Sequence, residues 1–185
     1  MIRRTHGTHG GDAGGRIARR TPLYTPVERA RRDATRWTVV QGVLAPVQFA
    51  AMLVSVVLVL RYLGTGRGLA AAHASVIAKT VALYAIMITG ALWEKVVFGR
   101  YLFARAFFWE DVVSFVVIAI HTLYLAGLVT GALAPHTLMY VALLAYAVYA
   151  VNATQFVLKL RAARLDDAAA RSRPPVGLPA AGLPA

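Results

Sequence analysis

Two stretches of this chain contain no Asp, Glu, Lys or Arg: Trp37 to Leu60, and Val112 to Leu158. Each exceeds the roughly 18 apolar residues that mark a membrane span. The second is divided by a turn signal, Gly131-Ala132-Leu133-Ala134-Pro135. No ordinary soluble domain accommodates such runs. Of the 185 residues 58% are hydrophobic and only 15% charged, and the charge is gathered around the apolar runs instead of being dispersed through them. The predicted fold class is therefore all-α: a polytopic membrane protein with four transmembrane helices in a bundle. The predicted spans are 38–62, 74–97, 108–130 and 137–158. Pro46 lies inside the first, where it frees the carbonyl of Gly42 and should kink the helix. The short turn makes spans three and four antiparallel neighbours.

The excess of Lys and Arg, 20 against 8 acidic residues for a net charge of +12, invites a nucleic-acid reading. Position argues against it. Arg3 to Arg36 and Lys159 to Arg173 flank the apolar body as juxtamembrane positive charges do, and no RNA- or DNA-binding motif lies among them. The expected partner is the lipid bilayer, with no nucleic acid. With no cysteine, there is no disulfide, thiolate metal site or cysteine nucleophile.

The same charges orient the bundle. Nine Lys and Arg precede the first span; Lys95, Arg100 and Arg105 lie at the second loop, and Lys159, Arg161, Arg164, Arg171 and Arg173 follow the last span. The first loop has only Arg61 and Arg67, and the third has neither residue type. With four spans, both termini and the second loop share the positive side, so both termini are predicted to be cytoplasmic.

Residues 1–22 are read as a disordered, Gly-rich basic tail, residues 23–165 as the membrane domain, and residues 166–185 as a disordered Pro/Ala-rich tail. No apolar stretch follows the first arginines, so the start does not read as a signal peptide. Thr25-Pro26-Val27-Glu28 supplies a Thr N-cap, a Pro at the first helical position and a Glu in capping-box register. The helix it opens carries Arg29, Arg32 and Arg36 on roughly one face. It is expected to lie on anionic headgroups and lead into the first span, with Trp37 as an interfacial anchor.

Ionisable groups within lipid need a partner, hydration or a function. The densest set is in WEKVVFGRYLFARAFFWED, residues 93–111. Glu94 leaves span two, while Glu110 and Asp111 enter span three, so an antiparallel pair brings three carboxylates to a similar depth. Adjacent carboxyl groups that differ in protonation can serve as general acid and general base. The other reading is interfacial pairing with Lys95, Arg100 and Arg105, plus a favourable helix N-terminus for Glu110 and Asp111. Glu110, Ser114, Val117 and His121 lie on one stripe of span three, with Glu110 and His121 about 16 Å apart along the axis. His121 can ligate a metal, shuttle a proton or hydrogen-bond a neighbouring helix. Tyr146, Tyr149, Asn152 and Gln155 form a stripe on span four, and Gln41, Gln48 and Ser55 one on span one. Such stripes bind helices together or line a polar cavity. His73 and Lys79, near the far end of span two, read as structural, with Lys79 snorkelling. No Walker loop, Ser-His-Asp arrangement, HExxH or haem-attachment motif is present. From composition and spacing alone, enzyme, scaffold and transporter subunit stay open.

Three stretches carry a resemblance: LYTPVERARRDATRWTVVQGVLAPVQF (23–49), ITGALWEKVVFGRYLFARAFFWEDVVSF (88–115) and LMYVALLAYAVYAVNATQFVLKLRAARL (138–165). They resemble the 3-vinyl bacteriochlorophyllide hydratases, also called chlorophyllide 3¹-hydratases, over about residues 23–165. The resemblance implies a hydro-lyase of bacteriochlorophyll biosynthesis that adds water across the 3-vinyl group to give a 3-(1-hydroxyethyl) product, with no cofactor. It implies the cytoplasmic or intracytoplasmic membrane of a photosynthetic bacterium. The implied partner is a Mg-tetrapyrrole, chlorophyllide a or 3-vinyl bacteriochlorophyllide a, alongside contact with other enzymes of bacteriochlorophyll synthesis. On that basis Glu94, Glu110 and Asp111 are the candidate acid and base, with Glu110 expected to be the acid. His121 becomes a candidate axial ligand to the substrate's Mg, the protein having no metal of its own. Arg100 and Arg105 become candidates for the propionate, and Trp109, Tyr146, Tyr149 and Asn152 for the macrocycle, with Phe107 and Phe108 as further aromatic faces. The competing reading is a non-catalytic tetrapyrrole carrier or assembly protein of the photosynthetic membrane. A third, a proton-coupled transporter subunit, would use Glu94 and Lys79 as a relay.

Overall fold

The computed structural model describes residues 23–171, and the expectations for residues 1–22 and 172–185 lie outside that range. Five helices follow one another: α1 (Pro26–Ala34), α2 (Arg36–Thr65), α3 (Leu69–Phe98), α4 (Phe108–Thr130) and α5 (Pro135–Arg171). Four of them, α2 to α5, are long and apolar enough to cross a membrane. At 1.5 Å per residue even α4 reaches about 35 Å, enough for the roughly 30 Å hydrocarbon core.

The expected capping box is formed. Thr25 Oγ1 accepts from the Glu28 amide and Glu28 Oε2 accepts from the Thr25 amide, with Pro26 in the first turn. Thr35 ends α1 in an extended conformation and at once caps α2 through the Trp37 amide. Pro46 is accommodated inside an uninterrupted α2, as Pro is in membrane helices. Gly66 and Gly68, both at positive φ, turn the chain between α2 and α3.

The helices form two antiparallel hairpins, α2 along α3 and α4 along α5. The hairpins meet through α2 with α5 and α3 with α4, and α1 lies against α3. Val39, Val43, Val47, Val54, Val57, Ile88, Val129 and Leu144 are exposed, whereas Gln48, Ser55, Lys79, Thr80, Ser114, His121 and Asn152 are buried. Apolar residues outside and polar residues inside suit a bundle solvated by lipid, where interhelical hydrogen bonds supply part of the cohesion. Ser55 bonds both Ser75 (2.8 Å) and Tyr146 (2.6 Å), joining α2, α3 and α5. Gln41 donates to Thr89 (2.7 Å), Trp93 to Thr38 (2.9 Å) and Asn152 to Ser114 (2.7 Å). Most of the stripes read from the sequence are thus used as helix-to-helix bonds. At Gly127 a Cβ would stand 2.6 Å from Leu133 Cδ1, so glycine lets the α4–α5 turn fold close onto α4.

Two expectations are corrected. The last helix runs past residue 165, where the disordered tail is expected to begin, as far as Arg171, and on it Asp167 is held by Arg29 (2.5 Å) and Arg32 (3.7 Å) of α1. For the same reason these arginines do not face headgroups: they turn inward to α5, and Arg32 also lies 4.8 Å from the Tyr24 ring centroid. The other correction concerns Lys79. Since α3 starts at Leu69 rather than 74, Lys79 sits about 15 Å from that end, too deep to snorkel. It is fully buried, with Nζ 3.8 Å from the Tyr149 ring centroid and no hydrogen-bond acceptor.

Candidate active site

One end of the bundle gathers the acidic residues. Glu94, in the last turn of α3, and Glu110 and Asp111, in the first turn of α4, are all buried. The connection between the two helices, residues 99–107, folds back over them. Gly99 closes α3 at positive φ, and the chain then donates two backbone amides into the site. Ala104 N–H bonds Glu94 Oε2 at 3.1 Å, and Phe103 N–H bonds Asp111 Oδ2 at 2.7 Å.

Aiming the second amide requires Phe103 at φ 57°, the one non-glycine residue at positive φ among the described residues. That conformation costs a residue with a Cβ about 1–2 kcal/mol, so the surrounding bonds must hold it. The Asp111 carboxyl takes its amide, and Arg100 Nη1 donates to its carbonyl at 3.4 Å.

Glu94 and Asp111 thus accept the amides of consecutive residues, which sets the two buried carboxyl groups side by side. Two buried carboxylates so close disfavour ionising together, so such a pair can hold one proton between them. Glu110 is held differently. Lys159 of α5 reaches it with Nζ–Oε2 2.5 Å and also donates to the Ala106 carbonyl. Glu110 is therefore the anion of an ion pair, while Glu94 and Asp111 form a carboxyl pair next to it. The cations expected to pair with the carboxylates do not: Lys95 donates to the Gly99 carbonyl (3.0 Å), Arg100 serves the Phe103 carbonyl, and Arg105 is exposed.

An aromatic cluster closes this end from within. Phe107 contacts Tyr24, Trp93, Phe98 and Phe156 with centroids 5.5–6.4 Å apart, and the Lys159 ammonium lies 5.2 Å from its centroid. Tyr24 stacks on Phe98 at 5.9 Å, which seats the start of α1 on the cluster. Burial pushes the Tyr24 hydroxyl up to about 12.

The remaining predicted residues divide into two sets. His121, Tyr146, Tyr149 and Asn152 are buried in the bundle interior. His121 Nδ1 donates to the Val117 carbonyl at 2.8 Å, which makes Nε2 the lone-pair nitrogen, and Nε2 has no hydrogen-bond partner. The ring lies 5.8 Å from that of Tyr146. Arg100, Arg105 and Trp109 face outward, Trp109 being 68% exposed. Glu94 and Lys79, the relay of the transporter reading, stand about 22 Å apart along α3. Among the described residues, no group of three or more His, Asp or Glu could hold a metal ion.

The family model for 2-vinyl bacteriochlorophyllide hydratase matches residues 24–162. The chain belongs to that family. A 2-vinyl bacteriochlorophyllide hydratase of Cereibacter sphaeroides is 65% identical over 150 residues, covering 80% of this chain and 92% of that protein. One of Rhodobacter capsulatus is 62% identical over 150 residues, covering 80% and 86%. No solved structure matches the chain. The hydratase match spans Tyr24 to Ala162 and so contains the carboxyl pair, Glu110 and Lys159, while Asp167 lies beyond it. Sequence reasoning missed Lys159 and Phe103 as parts of the site. Lys159 ends the polar stripe that runs from Tyr146, and that stripe was the available signal; nothing local marks Phe103 as left-handed.

Proposed function

We propose that the Glu94–Asp111 pair is the hydration site of a vinyl hydratase. The chain is an enzyme of bacteriochlorophyll biosynthesis, a hydro-lyase acting on a bacteriochlorophyllide vinyl group, as its family and its relatives at 62–65% identity indicate. The vinyl position numbered 2 in the family description is position 3 in current ring numbering. The observation that carries the site assignment is the pair of buried carboxyl groups set side by side by consecutive loop amides and flanked by an ion pair.

The chemistry suits that arrangement. The vinyl group is conjugated with the macrocycle, so transferring the shared proton to its terminal carbon leaves a cation that the ring delocalises. Water adds to the carbon next to the ring, and its surplus proton returns to the carboxylate, restoring the pair. General acid–base catalysis of this kind contributes about 10²–10⁴ in rate. The expected acid role of Glu110 passes to the pair, because an anion bonded to an ammonium has no proton to give. Glu110 and Lys159 position the neighbouring Asp111 and keep the local charge balanced. Arg100 and Arg105 are assigned to the propionate, with Trp109 beside them.

A second reading has one observation in its favour, the unpartnered Nε2 of His121. In it the macrocycle enters between the helices and His121 ligates its Mg, with Tyr146, Tyr149 and Asn152 around the ring. His121 is fully buried, so this reading requires the bundle to open.

The membrane is read as the cytoplasmic or intracytoplasmic membrane, with both termini and the acidic end on the cytoplasmic side, on the strength of the Lys and Arg distribution. The unit is residues 23–165 with its α5 extension, flanked by two tails. The test is to supply 3-vinyl chlorophyllide a and H₂¹⁸O to membranes of a heterologous host carrying the chain. A labelled hydroxyethyl product, one water heavier and absent from control membranes, is expected. Retained pigment binding with no product would overturn the hydratase reading in favour of a carrier.

A further inference from the structure

Three phenylalanines on the lipid-facing side of the acidic end have no part in the core. Phe103, Phe108 and Phe115 are each more than a third exposed. Phe108, Asp111 and Phe115 fall at i, i+3 and i+7 on α4, so the two rings flank the carboxyl on one helix face. Phe103 stacks parallel to Phe115, with centroids 5.5 Å apart and planes at 11°, and lies 5.7 Å from Phe108. Touching both neighbours at almost equal distance puts its ring over the Asp111 position between them. The same residue sends its amide to the Asp111 carboxyl, from a left-handed backbone that a phenylalanine rarely adopts. Trp109 extends the surface beyond Phe108 at 5.4 Å, edge-on.

Exposed rings beside a carboxyl pair offer a flat, conjugated ligand a surface to stack on. The substrate of the hydratase reading is flat, apolar and conjugated, with one anionic propionate. Arg100, bonded to the Phe103 carbonyl, and Arg105 two residues beyond Phe103 supply the complementary charge at the rim. We infer that Phe103, Phe108 and Phe115 form a platform on which a tetrapyrrole carboxylate docks from the bilayer. Its macrocycle lies on the rings and its vinyl edge turns towards Asp111. The substrate then reaches the buried acid pair sideways from the lipid by displacing the Phe103 ring that covers Asp111, without entering the bundle. This rests on the hydratase reading for the identity of the occupant, and the two fail differently.

The experiment uses the full chain in nanodiscs, titrated with 3-vinyl chlorophyllide a, with binding read from the Soret shift and hydration by mass. Phe108→Ala and Phe115→Ala are each expected to weaken binding about three- to tenfold. The loss should appear in KM, with kcat within about twofold of wild type. Phe115→Trp restores an aromatic ring against Phe103 and with it the affinity, while Val129→Ala, an exposed apolar change at the far end of α4, alters neither. Nitroxide lipids labelled at the depth of the acidic end quench the bound pigment's fluorescence. Alanine variants that bind as tightly as wild type, together with His121→Leu losing the Soret shift, would overturn the platform in favour of a site inside the bundle. Loss of affinity in the alanine variants without hydration by wild type would leave the platform standing and sink the hydratase reading.

Discussion

Replacing Lys159 by Met removes the one cation that touches Glu110 among the described residues, and the structure lets the cost be worked out. The Lys159 side chain is 26% exposed and that of Glu110 only 7%. Met matches the length of the lysine stem, so packing against Phe107 survives and the change is chiefly electrostatic. Breaking a buried ion pair by deleting one partner costs about 3–5 kcal/mol, since the remaining charge stays buried and uncompensated. Water at the quarter-exposed lysine softens this, which points to the low end, about 3 kcal/mol. The Ala106 carbonyl loses its donor as well, adding about 1 kcal/mol. Lys159→Met should therefore unfold about 3–4 kcal/mol more easily in reversible denaturation from mixed micelles. Adding Glu110→Leu to it removes the stranded charge and should recover about 2 kcal/mol, a coupling that a double-mutant cycle reads directly. If Lys159→Met alone stays within about 0.5 kcal/mol of wild type, the pair is a surface contact and the reasoning fails.

Further outcomes follow from other parts of the molecule. Glu94→Gln and Asp111→Asn keep the shape of each side chain but remove the transferable proton, so turnover should fall about 10²–10⁴-fold with pigment affinity kept. A variant of either kind retaining a tenth or more of wild-type turnover would exclude the pair as acid and base. Lys79→Met relieves a buried amino group of its desolvation and should leave the protein as stable or up to about 2 kcal/mol more stable, checked in the same unfolding assay. Destabilisation by Lys79→Met would mean that the Tyr149 contact outweighs that cost. At Tyr24 the raised value means that its neutral form is favoured by folding: that contribution is complete below pH 10 and is lost as pH rises towards about 12. The ultraviolet absorbance difference between wild type and Tyr24→Phe, read where tyrosinate absorbs, should accordingly titrate near pH 12. A titration near pH 10 would show Tyr24 to be free of the aromatic cluster.

What could be read along the chain is what local physics encodes. Uncharged runs locate the spans, with 108–130 matching α4 residue for residue, and the Thr25–Glu28 capping box starts α1 as its spacing predicts. The concentration of carboxyl groups at 93–111 was equally visible, because helix ends bring residues near a turn together. The partners of those groups were not. Lys159 meets Glu110 across 49 residues of sequence, and Asp167 meets Arg29 from the opposite end of the chain. Which side chains face each other in a bundle depends on each helix's rotation and axial register. Packing between helices sets both, and hydropathy is indifferent to them. Lys79 illustrates the point: a start to α3 five residues earlier than the hydropathy edge moves it from the lipid interface to the interior. Phe103 illustrates another, since its left-handed backbone exists only because Asp111 and Arg100 hold it there. The sequence by itself determined a four-span membrane hydratase with acidic residues at one end. Only the tertiary structure decided which two carboxyl groups stand side by side, which one is neutralised by a lysine, and which aromatic rings lie beside them, because those are contacts between distant helices.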